Sequence, residues 1–433
     1  MNRLDIALAD AMARFRARNP ASEKLMLEAS DVLPAGNTRS VLFHAPFPLY
    51  MARGEGCTLW DADGHRYLDA LGEFTAGIYG HSNPLIQQAI VAALQDGLNL
   101  SSHTAREGAL AHAIQRRFTG MALLRFTNSG TEANLMALAA ATAHTGRRKV
   151  LVFNGAYHGG VLAFGGGGSP VNVPHDWLVA RYNDLDDVRA LVKTHGPDLA
   201  AILVEPMLGA GGCIPADADF LHGLRALADG CGALLIVDEV MTSRLSPGGR
   251  QAQLGLTPDL TTLGKYFGGG LSFGAFGGRT DVMQRFDPRR ADALGHAGTF
   301  NNNVLTMAAG LAGLTQVLTP EALAALNQRG ERLRERLNGV FARHGVAMQF
   351  TGLGSVMQLQ PLAGPLRSAD DLAGADDRVK ALVFFDLLEH GIFLARRGLL
   401  ALSLPFGDAQ ADAFVTALDA VVGTRRALLP AAR

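Results

Sequence analysis

Cysteine occurs only three times in 433 residues, as Cys57, Cys213 and Cys231, and never in CxxC spacing. That excludes a disulfide framework and a cysteine-based metal site, and it predicts a reducing, cytoplasmic setting. No stretch approaches the roughly 18 apolar residues that a spanning helix needs. The opening MNRLDIALADAMARFRARNP is charged and amphipathic, so no secretory signal is expected. The formal net charge is −1 and the basic residues are scattered, which leaves no electrostatic case for nucleic acid or an anionic membrane surface. Lysine is also scarce: Lys24, Lys149, Lys193, Lys265 and Lys380 are the whole set.

Core-forming residues are plentiful. Hydrophobic residues make up 48% and charged residues 18%, in a chain longer than one hydrophobic core usually supports, so two or more domains are expected. Short apolar runs, 123-LLRFT-127, 149-KVLVF-153, 201-AILVE-205 and 233-ALLIVDE-239, are separated by helical or loop stretches. That rhythm signifies βαβ units and a mostly parallel sheet buried on both faces. The run 273-FGAFGG-278 reads as a further strand thinned by glycine. After residue 320 an amphipathic helix, paired strands and a last helix describe an α+β unit. The stretch 362-LAGPLRSADDLAGADD-377 reads as the flexible one. The fold class is α/β: a large mostly parallel-sheet domain with a smaller α+β domain made from both chain ends.

Three sites carry chemistry. In 123-LLRFTNSGTEANLMALAAATAHTG-146 a strand runs into a small-residue turn and then a helix, so N–H groups and the helix dipole converge on an anion site. Ser129 and Thr131 add hydroxyls, although Ser and Thr also cap ordinary helices. In 234-LLIVDEVMTS-243 a buried strand ends in Asp238 and Glu239, where open α/β sheets bind ligands. Asp238 can equally be a metal ligand or a helix cap. In 259-DLTTLGKYFGGGLSFGAFGG-278 Lys265 stands among glycine and apolar residues. Such surroundings favour an imine-forming amine, the glycines admitting a flat ligand, whereas a loop lysine is usually just exposed. Together, in that order, an anion site, a carboxylate and an amine are what pyridoxal 5′-phosphate (PLP) requires: donors for its phosphate, a partner for its ring nitrogen and an amine for its aldehyde.

The blocks 128-NSGTEAN-134, 153-FNGAYHG-159, 203-LVEPM-207, 236-IVDEV-240, 263-LGKYFGGG-270 and 298-GTFNNN-303 make the chain resemble the class III, fold-type I PLP-dependent aminotransferases over nearly all its length. The resemblance implies Lys265 as the lysine carrying the cofactor and the general base. It implies Asp238 on the pyridine nitrogen, Ser129, Gly130 and Thr131 around the phosphate, and Tyr157 stacked on the ring. It implies Thr299 reaching the phosphate across the interface of a homodimer. Met241 stands where many members carry a glutamine beside the cofactor's phenolic oxygen. There 238-DEVMTSR-244 is closer to glutamate-1-semialdehyde aminomutase and its relatives, so an aminomutase is the alternative. Through 37-NTRSVLFHAPFP-48 and the run to 405 the chain is similar to the members that act on aromatic β-amino acids such as β-phenylalanine.

The implied reaction moves the amino group from such a donor to 2-oxoglutarate or pyruvate, in ping-pong fashion through pyridoxamine phosphate. Arg39 is the expected ligand of the donor carboxylate and Arg397 that of the acceptor, with Arg396 as the rival for the latter role. Phe43 and Phe47 are candidate pocket walls or plain core. Glu205 is a supporting or ion-paired residue, and His158 a structural one. No metal is expected. The expected boundaries are 1–60 for an N-terminal segment roofing the site, 61–320 for the cofactor domain and 321–433 for the small domain.

Overall fold

The computed structural model describes residues 2–432. Contacts between Cα atoms divide the chain into two units, one of residues 1–83, 326–365 and 374–433, the other of residues 84–325 and 366–373.

The second unit is built on a seven-stranded sheet. In chain order its strands are β1 (Leu123–Thr127), β2 (Lys149–Phe153), β3 (Asp176–Ala180), β4 (Leu199–Val204), β5 (Leu234–Asp238), β6 (Leu260–Gly264) and β7 (Gly274–Gly278). Their spatial order is β1-β7-β6-β5-β4-β2-β3. All pairings are parallel except those of β7, which runs antiparallel to both β6 and β1. Central strands covered on both faces should be continuously apolar, and every residue of β4 has zero exposure. Each such Leu, Ile or Val contributes roughly 1.5–3 kcal/mol through burial.

The glycines of β7 are there for the sheet itself. A Cβ at Gly277 would lie 2.4 Å from Leu123 O, and one at Gly278 would lie 2.0 Å from Asp259 O. The alanine-rich helix Gly130–Thr145 lies on β6 and β7, burying Ala133, Ala137, Ala140 and Ala141, and ends at left-handed Gly146.

The stretch 362–377 is ordered where it joins this unit. Ala369–Leu372 form a short 3-10 turn, Asn154 Nδ2 donates to Asp370 Oδ1 at 2.6 Å, and Ala369 packs against the core beneath β2 and β4. Its polar, glycine-bearing sequence suggested mobility; side chains distant in sequence supply the anchors.

In the first unit the helix Arg3–Arg18 starts at a capping box between Asn2 and Asp5, and Pro20 opens the next helix, Pro20–Ser30. Strands Met51–Glu55, Thr58–Asp61 and Arg66–Asp69 form an antiparallel set, joined in parallel by Ile392–Phe393. A second sheet pairs Gln349–Leu353, Val356–Gln360 and Leu399–Ala401. Both chain ends thus build one α+β unit. Among the described residues no helix is long and apolar enough to cross a membrane.

Candidate active site

β5 delivers Asp238 to the carboxyl end of the sheet, 4% exposed. Its Oδ2 accepts hydrogen bonds from Asn134 Nδ2 and His158 Nδ1, both at 2.8 Å, and its Oδ1 accepts from Val240 N–H at 2.9 Å. Asn134 is itself fixed, because its Oδ1 accepts from Thr262 Oγ1 at 2.8 Å and its amide also donates to His158 O at 3.0 Å. His158 Nε2 is buried with no hydrogen-bond partner, so the ring's proton belongs on Nδ1, where it serves Asp238. The carboxylate is therefore locked in one orientation by three donors.

Beside this network lies Glu205, fully buried at the end of β4. Its Oε2 accepts from Tyr157 N–H at 2.9 Å and its Oε1 from Gly209 N–H at 3.0 Å. Burial pushes its pKa up to about 7; Asp238 adds to the rise, while His158 and the two backbone donors oppose it. Tyr157 itself is 48% exposed. Met241 is buried against Gly209, where a Cβ would lie 2.8 Å from its sulfur.

At the turn after β1, Ser129 caps the helix by accepting Glu132 N–H on Oγ at 3.1 Å. The first-turn N–H groups of Gly130 and Thr131 are left for an anion. Lys265 begins the 3-10 turn Lys265–Gly268 directly after β6 and has φ +56°, a left-handed conformation that costs a non-glycine residue about 1–2 kcal/mol. Gly264, just before it, packs on this turn: a Cβ there would sit 3.3 Å from Gly130 Cα and N. The chain thus brings the amine's strand end and the anion turn together. The glycines expected to admit a flat ligand mostly admit other backbone instead. Gly269 faces Ala309, and Gly274 faces Ser129 O at 2.1 Å.

Thr299 lies on the exposed loop 287–303, whose Asn301 accepts from Asn128 Nδ2 at 3.0 Å. The remaining expected residues are in the first unit. Arg39 Nη1 pairs with Glu73 Oε1 at 2.6 Å. The guanidinium carbons of Arg39 and Arg397 lie 5.6 and 5.7 Å from the centroid of one ring, that of Phe74. Arg397 is half-buried and Arg396 exposed. Phe47 is core, with no exposure and its ring 5.0 Å from Phe15, while Phe43 is 44% exposed.

Residues 43–422 match the Aminotransferase class-III family. The chain is a class-III aminotransferase. It is 57% identical to the β-phenylalanine transaminase of Variovorax paradoxus over 99% of each chain. Its structure matches that of a β-phenylalanine aminotransferase from Variovorax paradoxus with TM-score 0.98, covering 99% of this chain and 100% of that one at 57% identity. A transaminase with PLP bound matches at TM-score 0.87 and 32% identity, over 95% of this chain and 99% of that one.

This aminotransferase is PLP-dependent and has the fold of the fold-type I PLP transferases. The second unit fits the cofactor on chemical grounds. It offers a buried carboxylate that accepts only hydrogen bonds, a helix start with spare N–H donors and hydroxyls, and one lysine held at the adjoining strand end. Ser129, Gly130 and Thr131 would hold the phosphate, Asp238 the ring nitrogen, Tyr157 the ring face and Lys265 the aldehyde carbon. When bound, PLP supplies an aldehyde that condenses with amines and a protonated ring that withdraws electrons from the substrate carbon. Asp238 would keep the ring-nitrogen proton in place, and Lys265 Nζ would take and return the substrate's proton. Asn134, His158 and Thr262 were not singled out as ligand-supporting residues in the sequence. Asn134 lies within the NSGTEAN block and His158 follows Tyr157, but their common partner is remote along the chain. Glu73 and Phe74 were missed as well, and Gly72 and Gly77 around them are the only local signal.

Proposed function

We propose that this enzyme transfers the amino group of an aromatic β-amino acid, such as β-phenylalanine, to a 2-keto acid such as 2-oxoglutarate or pyruvate, as a cytoplasmic homodimer. The observation that carries the reading is the pair of guanidiniums sharing Phe74. A β-amino acid holds its carboxylate one carbon further from the amine than an α-keto acid holds its own from the carbonyl. One fixed cation cannot serve both when the reacting carbon stays in place. Two cations can: Arg39 takes the donor carboxylate, and Arg397, less exposed than Arg396, takes the acceptor's, each able to bind in bidentate fashion. The name of the relative at 57% identity supports the same donor class. For the homodimer, the support is the exposure of Thr299 and of Phe300, at 55%, on one loop, together with the exposed apolar Leu85, Val91, Leu94 and Leu98.

The deciding experiment incubates PLP-loaded enzyme with racemic β-phenylalanine, with and without 2-oxoglutarate, and measures glutamate. Glutamate formed only when both are present establishes the reaction. Failure to form glutamate from 2-oxoglutarate and, in a parallel incubation, alanine from pyruvate, in enzyme that retains the visible absorption of lysine-bound PLP, removes the donor assignment and leaves the family intact. An aminomutase would rearrange its substrate without any keto acid.

A further inference from the structure

The main chain from Gly72 to Thr75 is left-handed at four successive residues, with φ of 53°, 48°, 52° and 78°. Three of these, Glu73, Phe74 and Thr75, carry side chains and resist that conformation. The surroundings impose it. Asp69, 3% exposed, accepts from Leu71 N–H at 2.8 Å and Gly72 N–H at 3.0 Å, and its other oxygen meets His81 Nε2 at 2.9 Å. Gly72 passes so close to Ala401 that a Cβ would lie 2.3 Å from its carbonyl oxygen. These contacts fix where the Glu73 side chain leaves the backbone, and its own torsions carry the carboxylate to or from a partner. What it meets is Arg39, at 2.6 Å, with Arg39's other contact being the ring of the next residue, Phe74.

We propose that Glu73 is a specificity-determining residue of the donor site. It is the resident counter-ion of Arg39, and the donor's carboxylate binds by displacing it. The inference rests on the reading of Arg39 as the donor-carboxylate ligand. The exposure of the pair makes exchange feasible, since the side chains are 46% and 53% accessible and such pairs are weak enough to be given up. Arg39 is thereby kept ordered between turnovers and closed to passing anions. A second consequence is a division of labour. An acceptor whose carboxylates could compete for Arg39 meets a neutralised group there and is left to Arg397. Glu73 therefore tunes the donor step more than the acceptor step.

The test is Glu73→Gln, close in size and uncharged, in the PLP-loaded full-length enzyme, with the KM for β-phenylalanine and for 2-oxoglutarate measured separately. Removing an exposed counter-ion frees Arg39, so the donor KM is expected to fall about two- to five-fold relative to the acceptor KM. Structural damage would raise KM or lower kcat, so a fall cannot be mistaken for it. A donor KM that is unchanged or higher overturns the proposal, and so does an equal fall in both KM values, which reports net charge alone. Arg39→Ala separates the two levels. If it leaves the donor KM untouched, the carboxylate assignment itself fails. If it raises the donor KM while Glu73→Gln does nothing, only the counter-ion role falls.

Discussion

Replacing Asn134 by aspartate changes one amide nitrogen into an oxygen and nothing in size. Yet that nitrogen stands 2.8 Å from Asp238 Oδ2 and 3.0 Å from His158 O. In Asn134→Asp two carboxylates face each other. At an effective dielectric of about 20, two charges that close repel by about 6 kcal/mol. The alternative is to hold a proton between them. Against the ordinary aspartate value of about 3.9, that costs about 1.4 kcal/mol per pH unit, hence about 1.5 kcal/mol at pH 5 and about 4 kcal/mol at pH 7. The proton is the cheaper solution over this range, and it restores a donor to Asp238. The folded variant therefore carries one more proton than its unfolded chain, and its stability falls relative to the parent as pH rises. Urea unfolding of both apo proteins from pH 5 to pH 7 should show the gap widening by about 2–3 kcal/mol, on top of a constant loss of about 1 kcal/mol for the stranded His158 carbonyl. Glu205 and Glu239 titrate in both proteins and cancel to first order. A gap independent of pH would refute the placement of Asn134 as the donor to Asp238.

Lys265→Ala and Lys265→Gly should both abolish transamination, but only glycine relieves the φ of +56°, so apo Lys265→Gly should be the more stable by about 1 kcal/mol in thermal melts; equal stability would show that the turn carries no strain. Glu239, fully buried with its oxygens on Thr242 and Gln251, has its pKa pushed up to about 7, burial being the main cause. Because the folded value exceeds the ordinary 4.5, the stability it contributes is complete below about pH 4.5 and is lost as pH rises through 7; in Glu239→Gln that slope disappears, and a wild-type-minus-variant difference that stays flat between pH 5 and 8 would contradict it. At Gly159 a Cβ would lie 2.2 Å from Thr131 Oγ1, so Gly159→Ala should push that hydroxyl out of the anion turn and weaken PLP binding roughly tenfold by fluorescence titration, with unchanged affinity removing Thr131 from the site.

The parts legible in the sequence are those encoded locally. The apolar runs that became β2, β4 and β5 are continuous because both faces of the sheet are covered, and Asp238 is visible as the polar residue that ends one of them. Ser129 and the helix after it announce themselves by capping chemistry. The supporting network is not encoded that way. Asn134 and His158 meet Asp238 across 104 and 80 residues of chain, and although both lie in blocks that carry the family resemblance, nothing local shows that they share Asp238 as a partner. The glycines after Lys265 misled for a related reason. A glycine-rich run reads the same whether the missing side chains make room for a ligand or for Ala309 and Ser129, and only the assembled sheet tells which.

Left-handed backbone at a side-chain-bearing residue is not by itself a mark of function here, since Ala35, Ser82, Ser101, Asn183 and Cys213 share it. What sets Lys265, Glu73 and Phe74 apart is that glycine would relieve the backbone at each position and forfeit the group proposed to act there. At an ordinary turn that exchange loses only a packing contact or a surface polar group. At Lys265 it loses the amine, and at Glu73 and Phe74 it loses the carboxylate facing Arg39 and the ring that two guanidiniums share. The conformational cost in both places is met by tightly fitted backbone: Gly264 on the Gly130 turn in one unit, Gly72 under Ala401 in the other. Strain of this kind fixes where the side chain leaves the backbone, because a residue with one tolerated backbone state cannot move its Cβ by rotating φ. The same argument makes Gly72, itself buried, a sensitive position. A Cβ at 2.3 Å from Ala401 O cannot be accommodated without moving the turn, and moving the turn carries Glu73 and Phe74 off both arginines at once.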